Sequence, residues 1–215
     1  STGLRDYWSY VPGGNNPDEG HREYSQLMSS SLALISDHIL ETYQLDDYRT
    51  LIDVAGGTGQ FARMVKKRYP DIDATVLDLP EVVSEAKRQF PQSDIRFAAT
   101  DMFRSPLPQD TELFSLVRVL HDHDDEPILN LLTRLHAALK PGGHLLIAEP
   151  MAGTPGAEPI GDTYFSFYLW AMGSGRPRTA KELKAMCLAA GFSGIREFKT
   201  PIPALTRVLV AEKAS

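Results

Sequence analysis

From residue 50 onwards, short β-rich segments alternate with helical segments. Five segments are predicted to be strands: LIDVA (51–55), ATVLD (74–78), IRFAA (95–99), LFSLVRVL (113–120) and HLLIAE (144–149). Helical segments follow near residues 60–69, 80–90, 126–140 and 180–190. This alternation is typical of a doubly wound α/β fold with a parallel sheet. The 215 residues suffice for one such domain and are too few for two.

Both ends of the chain depart from the alternation. Residues 11–20 are rich in glycine and proline and are predicted to be a loop. Apolar residues between Tyr24 and Tyr43 recur at helical spacing, which predicts an amphipathic helix. Near the other end, GFSGIREFKT (191–200) leads to TRVLVAEK (206–213) through a connection too short for a helical crossover. These last two β segments are therefore predicted to form an antiparallel hairpin at the sheet edge.

The strongest chemical motif is LIDVAGGTGQFA, in which a strand runs into Gly56, Gly57 and Gly59 and then into a helix. Glycines let a ligand lie against the backbone, and the helix start offers unpaired N–H groups. Asp78 closes the second strand, where a carboxylate can accept hydrogen bonds from both hydroxyls of an adenosine ribose. This arrangement suits either NAD or S-adenosylmethionine.

Gly57, Gly59 and Ala62 satisfy the dinucleotide-binding pattern, so NAD remains an alternative. Asp53, inside the first strand, argues against it. A carboxylate at that place repels a pyrophosphate but attracts a ligand with an ammonium and a sulfonium group.

Asp101 follows the third strand, in ATDMF (99–103). Its carboxylate can accept from an adenine amine, with Met102 and Phe103 beside the ring. The alternative interpretation is that an aspartate at a strand end only caps the structure that follows. Acidic residues at two successive strand ends beside the glycines, Asp78 and Asp101, favour a ligand site.

Composition excludes several classes of partner. Lys and Arg number 22 against 28 Asp and Glu, for a net charge of −6, which disfavours nucleic acid. The uncharged stretches fall short of the ~20 apolar residues that cross a bilayer. The single cysteine, Cys187, cannot form an internal disulfide, so a cytoplasmic protein is expected.

Seven motifs occur in order, several of which include residues described above: DVAGGTG (53–59), LDLP (77–80), TDMF (100–103), VLHDHDDE (119–126), LKPGGHLLIAEP (139–150), GRPRT (175–179) and AAGFSGI (189–195). Together they resemble the S-adenosylmethionine-dependent small-molecule O-methyltransferases of the plant caffeate and animal hydroxyindole type. The resemblance implies a Rossmann-like doubly wound sheet of seven strands, the last antiparallel, with helices on both faces. It also implies S-adenosyl-L-methionine as cofactor, held by the glycines, Asp78, Leu79, Asp101 and Met102, and no metal.

The resemblance assigns the general base to His121 and its orienting acid to Glu149. Neutral imidazole is a suitable proton acceptor near pH 7. Asp122, which follows the base directly, is expected to have a structural or positioning role. The cluster HDHDDE (121–126) could instead hold a metal, but a helix start capped by Asp124 explains most of its acidic residues.

Three departures from the family pattern bear on the site. Ala55 replaces the first glycine of the loop and adds a methyl group there. Val117 stands where many members have a cofactor-side lysine, and Arg118 beside it is a candidate substitute. Pro177 stands where many members carry a second glutamate next to the base, so His121 would be held by Glu149 alone and activated more weakly.

Substrate residues are predicted in DTYFSFYLWAM (162–172). Tyr164, Phe167, Tyr168 and Met172 share one helical face, which periodicity alone assigns to the core as readily as to a pocket. The family's substrate-lining helix falls here, and two further lining positions match Tyr24 and Met28. An aromatic, weakly polar face favours a lipophilic acceptor with one hydroxyl, such as a hydroxycarotenoid.

The resemblance also implies the organisation of the protein. Residues 1–23 are predicted to be a linker with the start of a helical lead-in, and 24–215 the catalytic domain. The family's N-terminal dimerisation domain is absent from this chain, and a homodimer is expected for the full-length protein. A lipophilic acceptor implies that this cytoplasmic protein meets its substrate at a membrane surface. The alternatives are a polyketide or bacteriochlorophyll-type methyltransferase, an NAD-dependent dehydrogenase, and a non-catalytic cofactor-binding module.

Overall fold

The computed structural model describes residues 19–156 and 175–215, with side chains from residue 31 onwards in the first range. The described helices are α1 (Glu19–Thr42), α2 (Gln60–Arg68), α3 (Pro80–Gln89), α4 (Asp125–Ala138) and α5 (Ala180–Ala189). The strands are β1 (Thr50–Val54), β2 (Asp73–Asp78), β3 (Arg96–Ala99), β4 (Thr111–Val117), β5 (Leu139–Glu149), β6 (Ser193–Phe198) and β7 (Arg207–Glu212). Every strand and helix that was predicted within these ranges is present.

The strands form a seven-stranded sheet in the order β3-β2-β1-β4-β5-β7-β6. Neighbours among β1 to β5 are parallel, and β7 is antiparallel to both β5 and β6. The Rossmann-like fold and the C-terminal antiparallel hairpin are therefore confirmed. The last strand lies one position inside the edge, because β7 is inserted between β5 and β6.

Helices cover both faces of the sheet, as predicted, since strand side chains alternate between two apolar layers. In β1, Ile52 and Val54 belong to the layer that includes α4 and α5, whereas Leu51 belongs to the layer that includes α1 and α2. Burying one such side chain stabilises the fold by about 1.5–3 kcal/mol. No helix within the described ranges is long and apolar enough to span a bilayer.

The topology brings the polar motifs to the carboxyl ends of the parallel strands, a side of the sheet that is called its carboxyl edge below. The carboxyl ends of β1 to β5 lie side by side because these strands are parallel. The strand order reverses between β1 and β4, and sheets of this type bind ligands in the crevice at such a point. The glycine loop, Asp78, Asp101, His121 and Glu149 all lie at or just beyond these strand ends.

The predicted end of the fourth strand at Leu120 is wrong, because β4 stops at Val117. Arg118 has a φ of 58°, and its N–H donates to the carbonyl of Ala148 at 2.8 Å. The next two amides, of Val119 and Leu120, donate to the Glu149 side chain instead of to a strand. Residues Leu120–Asp122 therefore form a single 3-10 turn, called the catalytic turn below after the general base predicted at His121.

Asp124 occupies the N-cap position of α4, but its side chain makes no capping hydrogen bond. Its Oδ1 instead accepts from the N–H of Gly175 at 3.0 Å. The predicted capping role of this side chain is therefore wrong. Its carboxylate ties the start of α4 to the segment before α5.

Candidate active site

The glycine loop after β1 is shaped by close packing on one side and open space on the other. A side chain at Gly56 would overlap the carboxylate of Asp53, and one at Gly59, where φ is +81°, would come within 2.6 Å of Ile95. Gly57 has a φ of +59°, and a Cβ there would meet nothing within 4 Å. The loop thus exposes bare backbone at Gly57, as a ligand cradle requires.

Ala55 enters this loop in the left-handed region, with a φ of 53°. An L-residue pays about 1–2 kcal/mol for that conformation. Its N–H donates to the carbonyl of Leu77 at 2.7 Å, which ties the loop to β2. The alanine is therefore tolerated at the start of the loop, at a cost in backbone strain.

Asp53 is a buried carboxylate with one unmet oxygen. Its Oδ1 accepts from the Ser115 hydroxyl at 2.6 Å, whereas Oδ2, which lies against Gly56, has no hydrogen-bond partner among the described residues. Burial raises the pKa of Asp53 to about 7, although the Ser115 bond opposes the shift. A nearby cation would satisfy the open acceptor and favour the charged form.

Asp78 fixes the turn that follows β2 to the glycine loop. Its Oδ2 accepts from the N–H of Gly57 and its Oδ1 from the N–H of Leu79, each at 2.8 Å. Burial raises the pKa of Asp78 against the effect of these two donors. Each oxygen keeps a second lone pair, so two ligand hydroxyls could still be accepted. Leu79 is 39% exposed beside it.

Asp101 caps a local turn, which is the alternative that the sequence left open. Its Oδ1 accepts from the N–H of Phe103 at 2.8 Å, and its Oδ2 lies 3.8 Å from the exposed Arg104. Met102 and Phe103 pack against the core from a half-buried position. Arg134 of α4 donates to the Met102 carbonyl and thereby attaches this loop to α4.

His121 and Glu149 form a buried pair, 7% and 2% exposed. Nδ1 of His121 lies 2.6 Å from Oε2 of Glu149, while Oε1 accepts from the N–H groups of Val119 at 2.8 Å and Leu120 at 2.7 Å. An ionised carboxylate only accepts, so Nδ1 carries the proton and Nε2 of the neutral ring is the basic nitrogen. Glu149 therefore fixes both the turn and the tautomer of His121.

Asp122 adds charge next to that basic nitrogen. Its Oδ1 lies 3.4 Å from Nε2 of His121, and its side chain is 52% exposed. Burial alone would lower the pKa of His121, but the Glu149 and Asp122 carboxylates outweigh it and raise the pKa above its ordinary value. Arg118 is near enough for its charge to oppose the shift at His121.

Pro177 is buried and offers no acceptor, so Glu149 is the carboxylate bonded to Nδ1 of His121. The ring of His123 packs edge to face on Phe103, with centroids 5.0 Å apart. This contact joins the catalytic turn to the loop predicted to hold adenine. No group of three or more His, Cys, Asp or Glu side chains in the described part of the chain is arranged to hold a metal ion.

The structure brings the predicted catalytic and cofactor residues to one sheet edge. It leaves the substrate prediction untested, because Tyr164, Phe167, Tyr168 and Met172 lie outside the described residues, as do the side chains of Tyr24 and Met28. Sequence reasoning missed Ser115 and Arg134. Ser115 had a local signal, a lone hydroxyl within the apolar run LFSLV, whereas Arg134 had none.

A doubly wound sheet with a glycine cradle and a buried His–Glu pair at its carboxyl edge defines a nucleotide-binding class of enzyme fold. Within that class, residues 8–193 match the O-methyltransferase domain family, and the chain belongs to this family.

Individual relatives agree with this assignment. The chain is 43% identical over 212 residues to the demethylspheroidene O-methyltransferase of Rhodobacter capsulatus, covering 98% of this chain and 53% of that protein. It is 37% identical to the same enzyme of Cereibacter sphaeroides, covering 99% of this chain and 58% of that protein. The crystal structure of human N-acetylserotonin methyltransferase in complex with SAM superposes with a TM-score of 0.82 at 30% identity, covering 92% of this chain and 57% of that one. The chain thus spans little more than half the length of these relatives.

Proposed function

We propose that the protein transfers a methyl group from S-adenosylmethionine to a hydroxyl oxygen of a lipophilic small molecule, with His121 as the general base. The observation that carries the proposal is the buried His121–Glu149 pair beside an open glycine cradle at one sheet edge. Membership of the O-methyltransferase domain family supports the reaction class over a dehydrogenase.

The residues around the cradle fit this cofactor. Its ammonium group matches the unmet Oδ2 of buried Asp53, and its ribose hydroxyls match the remaining lone pairs of Asp78. The half-buried Met102 and Phe103 offer apolar surface to the adenine. When bound, S-adenosylmethionine supplies an electrophilic methyl group on a sulfonium. Because the carboxylates supply negative charge, they also favour its net positive charge.

The chain's own chemistry in the reaction is proton transfer. Nε2 of His121 accepts the hydroxyl proton as the acceptor oxygen attacks, and Glu149 holds Nδ1–H throughout. The imidazolium that forms is stabilised by Glu149 and by Asp122, whose Oδ1 lies 3.4 Å from Nε2. Asp122 thus replaces part of what a glutamate at position 177 would provide. An aliphatic hydroxyl is far less acidic than imidazolium, so alignment of the base matters during methyl transfer.

For the acceptor we propose a hydroxycarotenoid of the demethylspheroidene type. The support is the 43% and 37% identity, over 98% and 99% of this chain, to two enzymes named for that substrate; the mouse acetylserotonin O-methyltransferase is 36% identical over 79% of it. The aromatic face predicted at Tyr164, Phe167, Tyr168 and Met172 fits a long apolar molecule, which can bind through burial at about 25 cal/mol per Å².

We further propose residues 24–215 as the catalytic domain of a longer, homodimeric cytoplasmic protein that meets its acceptor at a membrane surface. The greater length of the relatives supports a longer protein, and the family resemblance implies the homodimer. The single cysteine supports the cytoplasm, and the lipophilicity of the proposed acceptor supports the membrane surface.

The test uses the complete natural protein. Calorimetry should detect binding of S-adenosylhomocysteine and no binding of NADH. Mass spectrometry should detect methylated demethylspheroidene after a reaction in detergent. Catechols and hydroxyindoles form the competing panel. Efficient turnover of a catechol without the carotenoid would refute the acceptor class, and cofactor binding without turnover of any acceptor would favour a non-catalytic module.

Tyr168→Asn tests the predicted apolar face, with Tyr69→Asn as the control. Tyr69 hydrogen-bonds Gln44 on the surface, away from the carboxyl edge of the sheet. The first variant should raise KM for the carotenoid and the second should not. Equal KM values would assign Tyr168 to the core.

A further inference from the structure

We infer that Arg178 is a positioning residue for His121, because its guanidinium fixes the backbone carbonyls on both sides of the base. The inference rests on the proposed function, since it concerns the geometry of that general base. Arg178 lies between the buried Pro177 and the start of α5, and its side chain is only 1% exposed. No local sequence pattern points to such a role.

All five N–H groups of Arg178 have an acceptor. Nη1 donates to the carbonyl of Leu120 and Nη2 to the carbonyl of His123, both at 2.8 Å. Nε and Nη2 donate to Oδ1 of Asp125 at 2.8 and 2.6 Å, and Nη1 also meets the carbonyl of Arg176 at 3.3 Å. The two carbonyls bonded at 2.8 Å lie on either side of His121, one immediately before it and one two residues after it.

Glu149 and Arg178 hold complementary sides of the same backbone. Glu149 accepts the amide protons that enter the catalytic turn, whereas Arg178 donates to the carbonyls of the turn and of the residue that follows it. Between them they hold the backbone of His121, whose Nδ1 lies 2.6 Å from Oε2 of Glu149. A lysine could not replace the fork, because one ammonium cannot reach two carbonyls and a carboxylate with the same geometry.

The neighbouring glycine shows how closely this segment supports the turn. Gly175 has a φ of +80°, and a Cβ there would overlap the carbonyl oxygen of His121 and lie 3.0 Å from Cα of Asp122. Its N–H is bonded to Asp124. The backbone at Gly175 therefore lies directly against the backbone of His121 and Asp122, which leaves little room for the turn to relax without moving His121.

The test compares Arg178→Lys with Arg176→Lys in the complete natural protein. Arg176 is the matched control, because it also pairs with Asp125, is 44% exposed and donates no hydrogen bond to the catalytic turn. Arg178→Lys keeps the positive charge but loses the planar guanidinium that reaches two carbonyls and a carboxylate at once. Since a misplacement of about 1 Å can cost about 10²-fold in rate, kcat should fall about 10- to 100-fold, with affinity for S-adenosylhomocysteine within about twofold.

A second readout needs no acceptor. The pKa of His121 is measured by NMR with ¹³Cε1-labelled histidine, assigned with His121→Asn. The charged groups facing the ring are Glu149 from β5, Asp122 on the same turn and Arg118 after β4. If Arg178 keeps the ring against Glu149, Arg178→Lys should move this pKa down towards the ordinary value of about 6.5, whereas the control should leave it in place.

Asp125→Asn is the milder variant if Arg178→Lys does not fold, because Asp125 is 57% exposed and its loss leaves both carbonyl bonds possible. It should shift kcat and the pKa in the same direction by a smaller factor. Unchanged kcat and unchanged titration in the folded variants would overturn the role of Arg178. The proposed function would fail separately, through absent cofactor binding or absent turnover in the unmutated protein.

Discussion

Replacing Glu149 with glutamine should reverse the tautomer of His121. The amide oxygen can keep the bonds from Val119 and Leu120, which lie 2.8 and 2.7 Å from Oε1 in the natural side chain. Its NH₂ group then faces Nδ1 at the position of Oε2, 2.6 Å away. Because NH₂ only donates, Nδ1 must become the acceptor and the proton must move to Nε2. The opposite amide orientation would set NH₂ against two backbone donors.

The loss follows from the role of Nε2. A protonated Nε2 cannot accept the hydroxyl proton, so the contribution of a positioned general base, about 10²–10⁴-fold, should disappear. At about 1.4 kcal/mol per tenfold change in rate, this is about 3–5.5 kcal/mol of activation free energy. Without the Glu149 charge, burial dominates and the pKa of His121 should fall below its ordinary value. Cofactor affinity should change little, since Glu149 contacts the turn.

The assay is single-turnover methyl transfer, combined with ¹⁵N NMR of the imidazole to identify the protonated nitrogen. Glu112→Gln is the matched control. Glu112 likewise accepts two backbone amides, from Arg49 at 2.5 Å and Thr50 at 3.0 Å, and one side chain, Lys140 at 2.7 Å, but it does so at the start of β4, at the opposite edge of the sheet. Glu149→Gln with the rate of this control, or with Nδ1 still protonated, would refute the reasoning.

Four further outcomes are expected. The rate should fall as pH drops through the raised pKa of His121, because its protonated form cannot accept a proton, and kcat/KM against pH measures this. Affinity for S-adenosylhomocysteine should rise with pH through about 7 as Asp53 ionises beside the ammonium group, and calorimetry of Asp53→Asn should show most of that dependence lost. Asp78→Ala should weaken the same binding by about 1.5–3 kcal/mol, measured by the same titration. Ala55→Gly should raise the free energy of unfolding by up to about 1 kcal/mol in urea, because it relieves the positive φ at some cost in unfolded-state entropy.

The sequence predicted the sheet well because its signals are local. Alternating apolar residues and glycine-rich turns identify a strand within its own few residues. The end of β4 could not be predicted in this way, since the amides of Val119 and Leu120 are captured by Glu149, 30 and 29 positions away. The antiparallel pairing of the last strands was predictable from a short connection, whereas the insertion of β7 depends on its partner β5.

The site followed the same division. The glycines and Asp78 come from a local motif in which a strand runs into a turn and a helix, whereas His121 and Glu149 were assigned by the family resemblance. The Oδ1 bond of Asp101 to Phe103 spans two residues, so sequence could offer it as an alternative without deciding. Arg134 and Arg178 were beyond prediction, because each uses a long side chain to reach backbone carbonyls 29 to 58 positions away.

Because β7 lies between β5 and β6, the sheet beside Glu149 is completed only after residues 207–212 have been synthesised. Glu149 ends β5 and is paired in register with Arg207 at the start of β7. A nascent chain can assemble β1 to β4 while residues 207–212 are still inside the ribosome, but β5 then has one open side and β6 has no neighbour in the sheet. The strand that ends at Glu149 is therefore enclosed only by a segment that is synthesised well after it.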